Sequence, residues 1–479
     1  MKLSEILKIV KGEVFNFEDV EINEIYDNSK EVKKGGIFVC IRGIKNDGHD
    51  FVKEAEKNGA FAFICEKKID TKKPFIVVPD TVVALHKIVK KIYGPFDFKI
   101  IGVTGTNGKT TSVFLIKEIL EKANEKVGMI TTLYSSFNSE KIETGYTCPP
   151  PLILYKIFKK FKEKNIKWCV MEITSHALKL KRFYDFEIEG GIFTNLTQDH
   201  LDFHITMEDY YLSKKKMFEY IKNGIASINI DDEYGKRLYK ELNFKKVSFG
   251  IKEECDYKGR ILNILPFSMK VEITHKKEKT ILSTGLIGEP NLYNILGVFS
   301  LLKEMGFEKE MILEGIKEFK GVPGRLEKIE NKKNKKIYVD YAHTPDALRN
   351  VLITLKSLNP KRLIVIFGAG GNRDKSKRPL MGKVASEIAD IVILTSDNPR
   401  FEDELEIIED IKKGIKYKEK CLINPDRKEA IRMGIKMMEE DDILLIAGKG
   451  HEEYQEIKGI KYPFNDKKVI LEIIEKDEY

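Results

Sequence analysis

Gly105-Thr106-Asn107-Gly108-Lys109-Thr110-Thr111 is the first stretch whose residue types and spacing could do chemistry. It follows an apolar run at 100–103 and opens a stretch with apolar residues at helical spacing. Glycines let backbone N–H groups turn toward phosphate oxygens, and a helix N-terminus adds partial positive charge. Lys109 can then reach terminal phosphates, and Thr110 offers a hydroxyl to Mg²⁺. Val103 stands where a strict Walker loop has its first glycine, so the assignment rests on the strand–loop–helix context. The chemistry implied is that of a nucleoside triphosphate.

Other polar groups cluster at the ends of apolar runs. Glu172 closes the run 168–172 and is the natural carboxylate for a magnesium ion on the phosphates. His200 and His204 lie beside Asp199 and Asp202; a lone histidine is more often structural, but this pairing points to a site, and phosphate chemistry favours a hard, oxygen-ligated ion over zinc. The sequence holds only 12 arginines among 83 basic residues, so each is a candidate for the planar, two-pronged anion contact that lysine cannot make. Arg182, Arg325, Arg373, Arg378 and Arg400 fall inside motifs, whereas Arg237 and Arg260 need no special role.

The elements that must position these groups alternate between strand-like and amphipathic helical runs, which predicts α/β layers with mostly parallel sheets. A helix over 81–93 stops at Gly94-Pro95, giving a first boundary; a new strand series begins near 336. At 479 residues the chain predicts three domains: 1–94, 95–325 and 326–479. The last has strands ending in Gly- or Asp-rich loops, as in a doubly wound, Rossmann-like fold whose ligands sit at strand ends.

The net charge of +8 comes from lysines interleaved with acids, a solvated surface rather than a nucleic-acid-binding face. Six scattered cysteines without a CxxC predict reduced thiols. No apolar run approaches the roughly 18 residues of a membrane span, and the first residues lack a secretory core. The expected location is the cytoplasm.

The motifs TGTNGKTT, MEITSHAL, NLTQDHLDFH, PGRLE and DYAHTPDAL, in that order, resemble those of the Mur ligases, the ATP-dependent enzymes that build the UDP-linked peptidoglycan precursor. The resemblance spans essentially the whole chain. It implies an N-terminal domain for the UDP-sugar, a central P-loop-type ATPase and a C-terminal Rossmann-like domain for the incoming amino acid. It also implies Mg²⁺, ATP as co-substrate and a monomer. In the implied reaction the terminal D-Glu carboxylate of UDP-MurNAc-L-Ala-D-Glu becomes an acyl-phosphate, which an amine attacks to give amide, ADP and phosphate.

Carried over by residue, Ser29 is the polar contact of the uridine loop, although Asn28 and Lys30 replace the usual Asp and Arg around it. Thr147 and Cys148 match a Thr-Thr-Pro substrate loop with Cys in place of the second Thr, Thr174 keeps the hydroxyl of a common Ser, and Arg182 is placed to meet a substrate anion. Asn291 and Asn294 resemble the pair near adenine, with Pro290 in place of a Phe. The resemblance puts Arg325 on the γ-phosphate and Asp340 near the ribose. Three consecutive lysines, 214–216, read by themselves as a solvated face; the resemblance selects Lys214 as a carbamate-bearing ligand of a second magnesium. The catalytic and metal set it implies is therefore Lys109, Thr110, Glu172, His200 and Lys214.

The residues that would choose the amino acid are Asp397-Asn398-Pro399-Arg400, with Arg373, Gly448 and Glu452. Arg400 can grip a distal carboxylate, where lysine would present a repelled ammonium; Glu452 can accept the distal ammonium. Family members with this Asp-Asn-Pro-Arg run add meso-diaminopimelate. The alternatives are an ordinary Asn-Pro turn with a surface arginine, an isosteric diamino diacid such as lanthionine, a lysine-adding enzyme, or a folylpolyglutamate-type ligase.

Overall fold

The computed structural model describes residues 1–43, 46–138, 140–265 and 268–476. The chain divides into two compact units, one of residues 1–101 and 126–188, the other of residues 102–125 and 189–479.

In the first unit, Gly36–Val39 and Ala60–Cys65 are buried apolar runs that pair in parallel, as continuous hydrophobic strands do when both faces are covered. Ile25–Tyr26 and Phe75–Val77 extend the sheet in parallel, and Glu13–Phe15 closes it antiparallel. The predicted helix is Thr81–Tyr93: the Asp80 side chain caps it by accepting from Val83 N–H, and Gly94 ends it. Its His86 lies among Tyr155, Tyr184 and Phe186, on the edge of an aromatic cluster with Phe158. A second set of strands in this unit pairs Trp168–Glu172 in parallel with Val127–Ile130, followed by antiparallel Ser135–Phe137 and Glu140–Ile142.

In the second unit, Gly190–Phe193, Ile225–Asn229 and Lys246–Gly250 run parallel. An antiparallel meander then follows, Tyr257–Leu265, Ser268–His275 and Glu278–Thr284, which the largely parallel expectation did not foresee. The last of these alternates buried and exposed residues, the period of a sheet with one wet face.

The final sheet orders Glu327–Lys328, Lys336–Asp340, Ile443–Ala447, Leu363–Phe367, Ile391–Leu394 and Cys421–Ile423, parallel except for the first pair. Leu363–Phe367 and Ile443–Ala447 are fully buried, as central strands of a doubly wound sheet must be. The helices Pro345–Lys356, Glu404–Lys412 and Arg427–Met437 start on side-chain caps from Thr344, Asp403 and Asp426, whereas Lys377–Ile388 has none. Arg427 and Asp466, both buried, form a two-pronged pair; Arg427 also donates to the carbonyls of Ser396 and Ala447 and so fixes the ends of two strands. Among the described residues no helix is long and apolar enough to cross a membrane.

Candidate active site

The phosphate loop connects the strand Lys99–Thr104 to the helix Lys109–Lys122. Gly108 precedes that helix at φ 87° and, as glycine, makes no side-chain cap bond to its first turn. The loop is braced from 194–197: Thr106 N–H donates to Asn195 O, Asn107 N–H to Asn195 Oδ1, and Thr194 Oγ1 to Asn107 O. A Cβ on Gly105, at φ 146°, would lie 1.9 Å from Thr194 Oγ1, so only glycine fits this approach.

Two lysines converge on one carbonyl. Lys109 Nζ donates to the carbonyls of Gly105 (2.9 Å) and Thr106 (2.7 Å), and Lys214 Nζ donates to Gly105 O at 2.7 Å. Lys214 is 1% exposed, with its Nζ 4.6 Å from the Tyr210 ring centre. Burial, with the charge of Lys109, pushes its ammonium well below the usual lysine range. The solvated face that three lysines suggest is therefore not what Lys214 occupies.

Arg325 Nη2 reaches Thr110 Oγ1 at 3.4 Å, and its guanidinium sits 4.4 Å from the Tyr341 ring centre. Asn294 lies against Gly108 and donates to Asn291 Oδ1, whose own amide donates to Ile287 O. Asp340 accepts from the backbone N–H groups of Leu326 (2.6 Å) and Ala342 (2.7 Å). Burial raises its carboxyl pKa against the pull of Arg325.

Asp199 is a charge junction: burial opposes its ionisation, but His200, His343 and Lys377 hold its carboxyl below the usual range. His200 adopts φ 54° and lies 3.4 Å from Asp199 Oδ2. His204 is fully buried and stacks on Tyr210, so the second histidine of the pair belongs to the packing. The next residue, Ile205, is β-branched yet sits at φ 60° and is 82% exposed.

Three loops of the last sheet meet around the Asp397–Arg400 turn. Arg400 Nε donates to Glu456 Oε2 at 3.1 Å and Nη1 to Gly371 O at 2.9 Å. Asn398 donates to Glu452 Oε2 at 2.8 Å and accepts from Lys449 Nζ at 3.0 Å and from Glu456 N–H at 2.9 Å. Lys449, fully buried, also donates to Glu452 Oε2 at 2.8 Å. Gly448, at φ 108°, lets the Asp397 carboxylate approach within 2.6 Å of where a Cβ would stand. Arg373 lies near Lys377, whose ammonium burial holds below the usual range. Arg400 is thus a tied, partly buried side chain, 20% exposed.

In the first unit, Thr147 Oγ1 pairs with Thr132 Oγ1 at 3.1 Å, and Thr132 N–H donates to Glu172 Oε1 at 3.0 Å. Cys148 is buried, its thiol pushed up to about 12 by burial, so it is no nucleophile. Thr174 Oγ1 accepts from Ala177 N–H, and Arg182 lies over the Tyr146 ring. Ser29 Oγ donates to Glu54 Oε2 at 2.5 Å.

One expectation about arginine needs correction. Arg378 is fully buried and spends its guanidinium on Glu402, Asp410 and Gly370 O, a structural tie rather than a ligand clamp. Arg237 pairs with Glu208 on the surface, as a residue without a special role can. Sequence reasoning also missed Lys449, Glu456 and Lys377. The one available signal was a lysine between two glycines straight after a buried strand.

The site's parts match known proteins. Residues 21–93 match the Mur ligase family catalytic domain, 103–302 the Mur ligase middle domain and 324–450 the Mur ligase glutamate ligase domain. The UDP-N-acetylmuramoyl-L-alanyl-D-glutamate–2,6-diaminopimelate ligase of Aquifex aeolicus is 45% identical over 486 aligned positions, covering 100% of this chain and 96% of its own. A solved structure of a ligase of that name superposes with a TM-score of 0.69 at 29% identity, covering 100% of this chain and 99% of the other. The ADP complex of the MurF ligase from Thermotoga maritima shares the fold, with a TM-score of 0.64 at 22% identity over 96% of this chain and 99% of the other.

Proposed function

The chain belongs to the Mur ligase family, and from that premise we propose that it is the ATP-dependent ligase that adds meso-diaminopimelate to UDP-N-acetylmuramoyl-L-alanyl-D-glutamate. The observation that carries the choice of amino acid is the Asp397–Arg400 turn, whose guanidinium is held by Glu456 and Gly371 beside the Asn398–Glu452–Lys449 group. That arrangement offers a fixed cation for a distal carboxylate and a carboxylate for a distal ammonium, the two ends of a zwitterionic head. A lysine side chain supplies only the second.

In the reaction, a carboxylate oxygen of the D-Glu residue bonds to the γ-phosphorus of ATP as the bond to ADP breaks. The amine of diaminopimelate then bonds to the acyl carbon, loses a proton, and phosphate leaves. The loop N–H groups and Lys109 carry the phosphate charge, and Arg325, already at Thr110, adds a second cation where the γ-phosphate lies. On phosphate arrival Lys109 exchanges its two loop carbonyls for stronger charged acceptors. Asn291 and Asn294 hold the adenine, and Asp340 the ribose end through the 325–326 turn. Ser29, Thr147, Cys148 through its backbone, Thr174 and Arg182 bind the nucleotide-sugar peptide. Arg373, Asp397, Asn398, Pro399, Arg400, Gly448 and Glu452 bind diaminopimelate.

The donor set suits magnesium: a hard cation on ATP takes phosphate and water oxygens and needs only one or two protein carboxylates. Among the described residues no cage of three His, Cys, Asp or Glu side chains forms. By the family pattern, Thr110, Glu172, His200 and Lys214 are the proposed ligands. Lys214 fits as a carbamate, because its buried amine is held toward the neutral form that condenses with CO₂. The ion supplies neutralisation of phosphate charge. Domain limits of 1–94, 95–325 and 326–479, a single-chain enzyme and a cytoplasmic location, where ATP and nucleotide sugars are made, complete the reading.

Phosphate release tests it. Wild-type protein with UDP-MurNAc-L-Ala-D-Glu, ATP and magnesium should release phosphate with diaminopimelate and far less with lysine. Equal release with lysine would overturn the amino-acid assignment, and no release with any amine would overturn the ligase.

A further inference from the structure

The hairpin Tyr454–Ile457/Ile460–Pro463 lies outside the main sheets, yet its residues 455–458 bind the Asp397–Arg400 turn. Gln455 Nε2 donates to Ser396 Oγ and Asp397 O, and Glu456 N–H to Asn398 Oδ1. Arg400 N–H donates to Glu456 O and Lys458 N–H to Arg400 O, a bridge that fixes Arg400 at φ 54°. The side chains then meet directly, Arg400 Nε on Glu456 Oε2. Both are about four-fifths buried, at 20% and 22% exposure.

We propose that Glu456 is a positioning residue that sets amino-acid specificity by aiming Arg400. The inference rests on the ligase reading above. A guanidinium has five N–H groups in one plane, so fixing two of them fixes the direction of the other three. Here Nε is held by Glu456 and Nη1 by Gly371 O, on two different loops. Remove the carboxylate and Arg400 keeps one anchor, about which the plane swings. A two-pronged contact to a carboxylate depends on that plane far more than a contact to an ammonium elsewhere in the pocket does. Glu456 also tunes charge: it neutralises Arg400 when the amino acid is absent, so an ill-fitting anion gains little by entering.

The loss is therefore selective. Glu456→Ala should raise the KM for diaminopimelate by about tenfold or more, with kcat and the KM for ATP changed less than about twofold. The ratio of kcat/KM for diaminopimelate to that for lysine should fall by a similar factor. Glu456→Gln, whose amide oxygen still accepts from Nε, should restore most of that ratio.

The experiment measures that ratio in wild type, Glu456→Ala and Glu456→Gln at one pH and magnesium concentration. If Glu456→Ala melts below the assay temperature, Glu456→Met, which keeps the side chain's bulk on the hairpin, carries the same comparison. A ratio that falls in the Ala or Met variant and recovers in Gln supports the proposal. A ratio unchanged while both substrates lose activity equally overturns it and leaves Glu456 a fold residue. A wild-type enzyme without preference for diaminopimelate fails the amino-acid assignment instead, and one that turns over with none of the amines fails the ligase reading, so these failures are distinct from that of Glu456.

Discussion

The phosphate loop gathers its anion-binding groups within residues 105–111, whereas the clasp around Arg400 draws them from loops spread between 371 and 456. The loop's geometry is backbone geometry: Gly105 and Gly108 at positive φ turn N–H groups to one side, and side chains only add charge. The clasp's geometry is side-chain geometry, because Asn398, Lys449, Glu452, Glu456 and Arg400 hold one another. A change in the loop should subtract one interaction from a frame that persists. A change in the clasp should move its neighbours.

The largest expected effect sharpens the first half of that contrast. Lys109→Ala should lower kcat by about 10³-fold, because its charge is most needed as phosphate charge develops. Its melting temperature should shift little. Turnover within tenfold of wild type, or a large loss of stability, would break the idea of a self-standing cradle.

Acid provides a second test, because both units bury a histidine. Burial lowers His86 and His451 each to about 4. The unfolded chain binds a proton near 6.5 while the native state does not, so stability is full above that pH and falls as pH drops toward 4. Each histidine contributes at most ~3 kcal/mol to that loss. His86→Gln should flatten the dependence of melting temperature on pH between 7 and 4.5 for the first unit, leaving the second acid-labile. An unchanged slope would contradict burial of a neutral His86.

The smallest effect concerns Ile205, which is exposed on a left-handed backbone beside the site. Ile205→Gly should stabilise by ~1 kcal/mol, since little packing is lost and the strain of a β-branched residue at positive φ is removed. Differential calorimetry should show a higher melting temperature; a lower one would mean that the side chain has a partner worth keeping.

The same contrast explains what was legible in the sequence. Strands such as Leu363–Phe367 and Ile443–Ala447 declare themselves because a doubly covered strand must be apolar throughout. The phosphate loop declares itself because its chemistry needs glycine, lysine and threonine at fixed neighbours. The meander from Tyr257 to Thr284 was harder, because polar residues on its wet face interrupt the apolar pattern. Glu456 was invisible as a site residue, and Lys449 was marked only by its flanking glycines: lysine and glutamate are common, and only the fold brings them to Asn398 and Arg400. Arg378 misled for the complementary reason, since its motif neighbours suggested a ligand while Glu402 and Asp410 occupy it. Lys214 needed position within a family pattern, and its burial against Gly105 is what separates it from Lys215 and Lys216.

Steady-state kinetics of Arg400→Ala, with ATP and diaminopimelate varied in turn, tests the central claim most directly. With the cradle and the clasp independent in their ligands, KM for diaminopimelate should rise about 10- to 100-fold, the size of a lost charged hydrogen-bond pair, while KM for ATP stays within about twofold. A rise in the KM for ATP as large as that for diaminopimelate, or no rise in either, would contradict it.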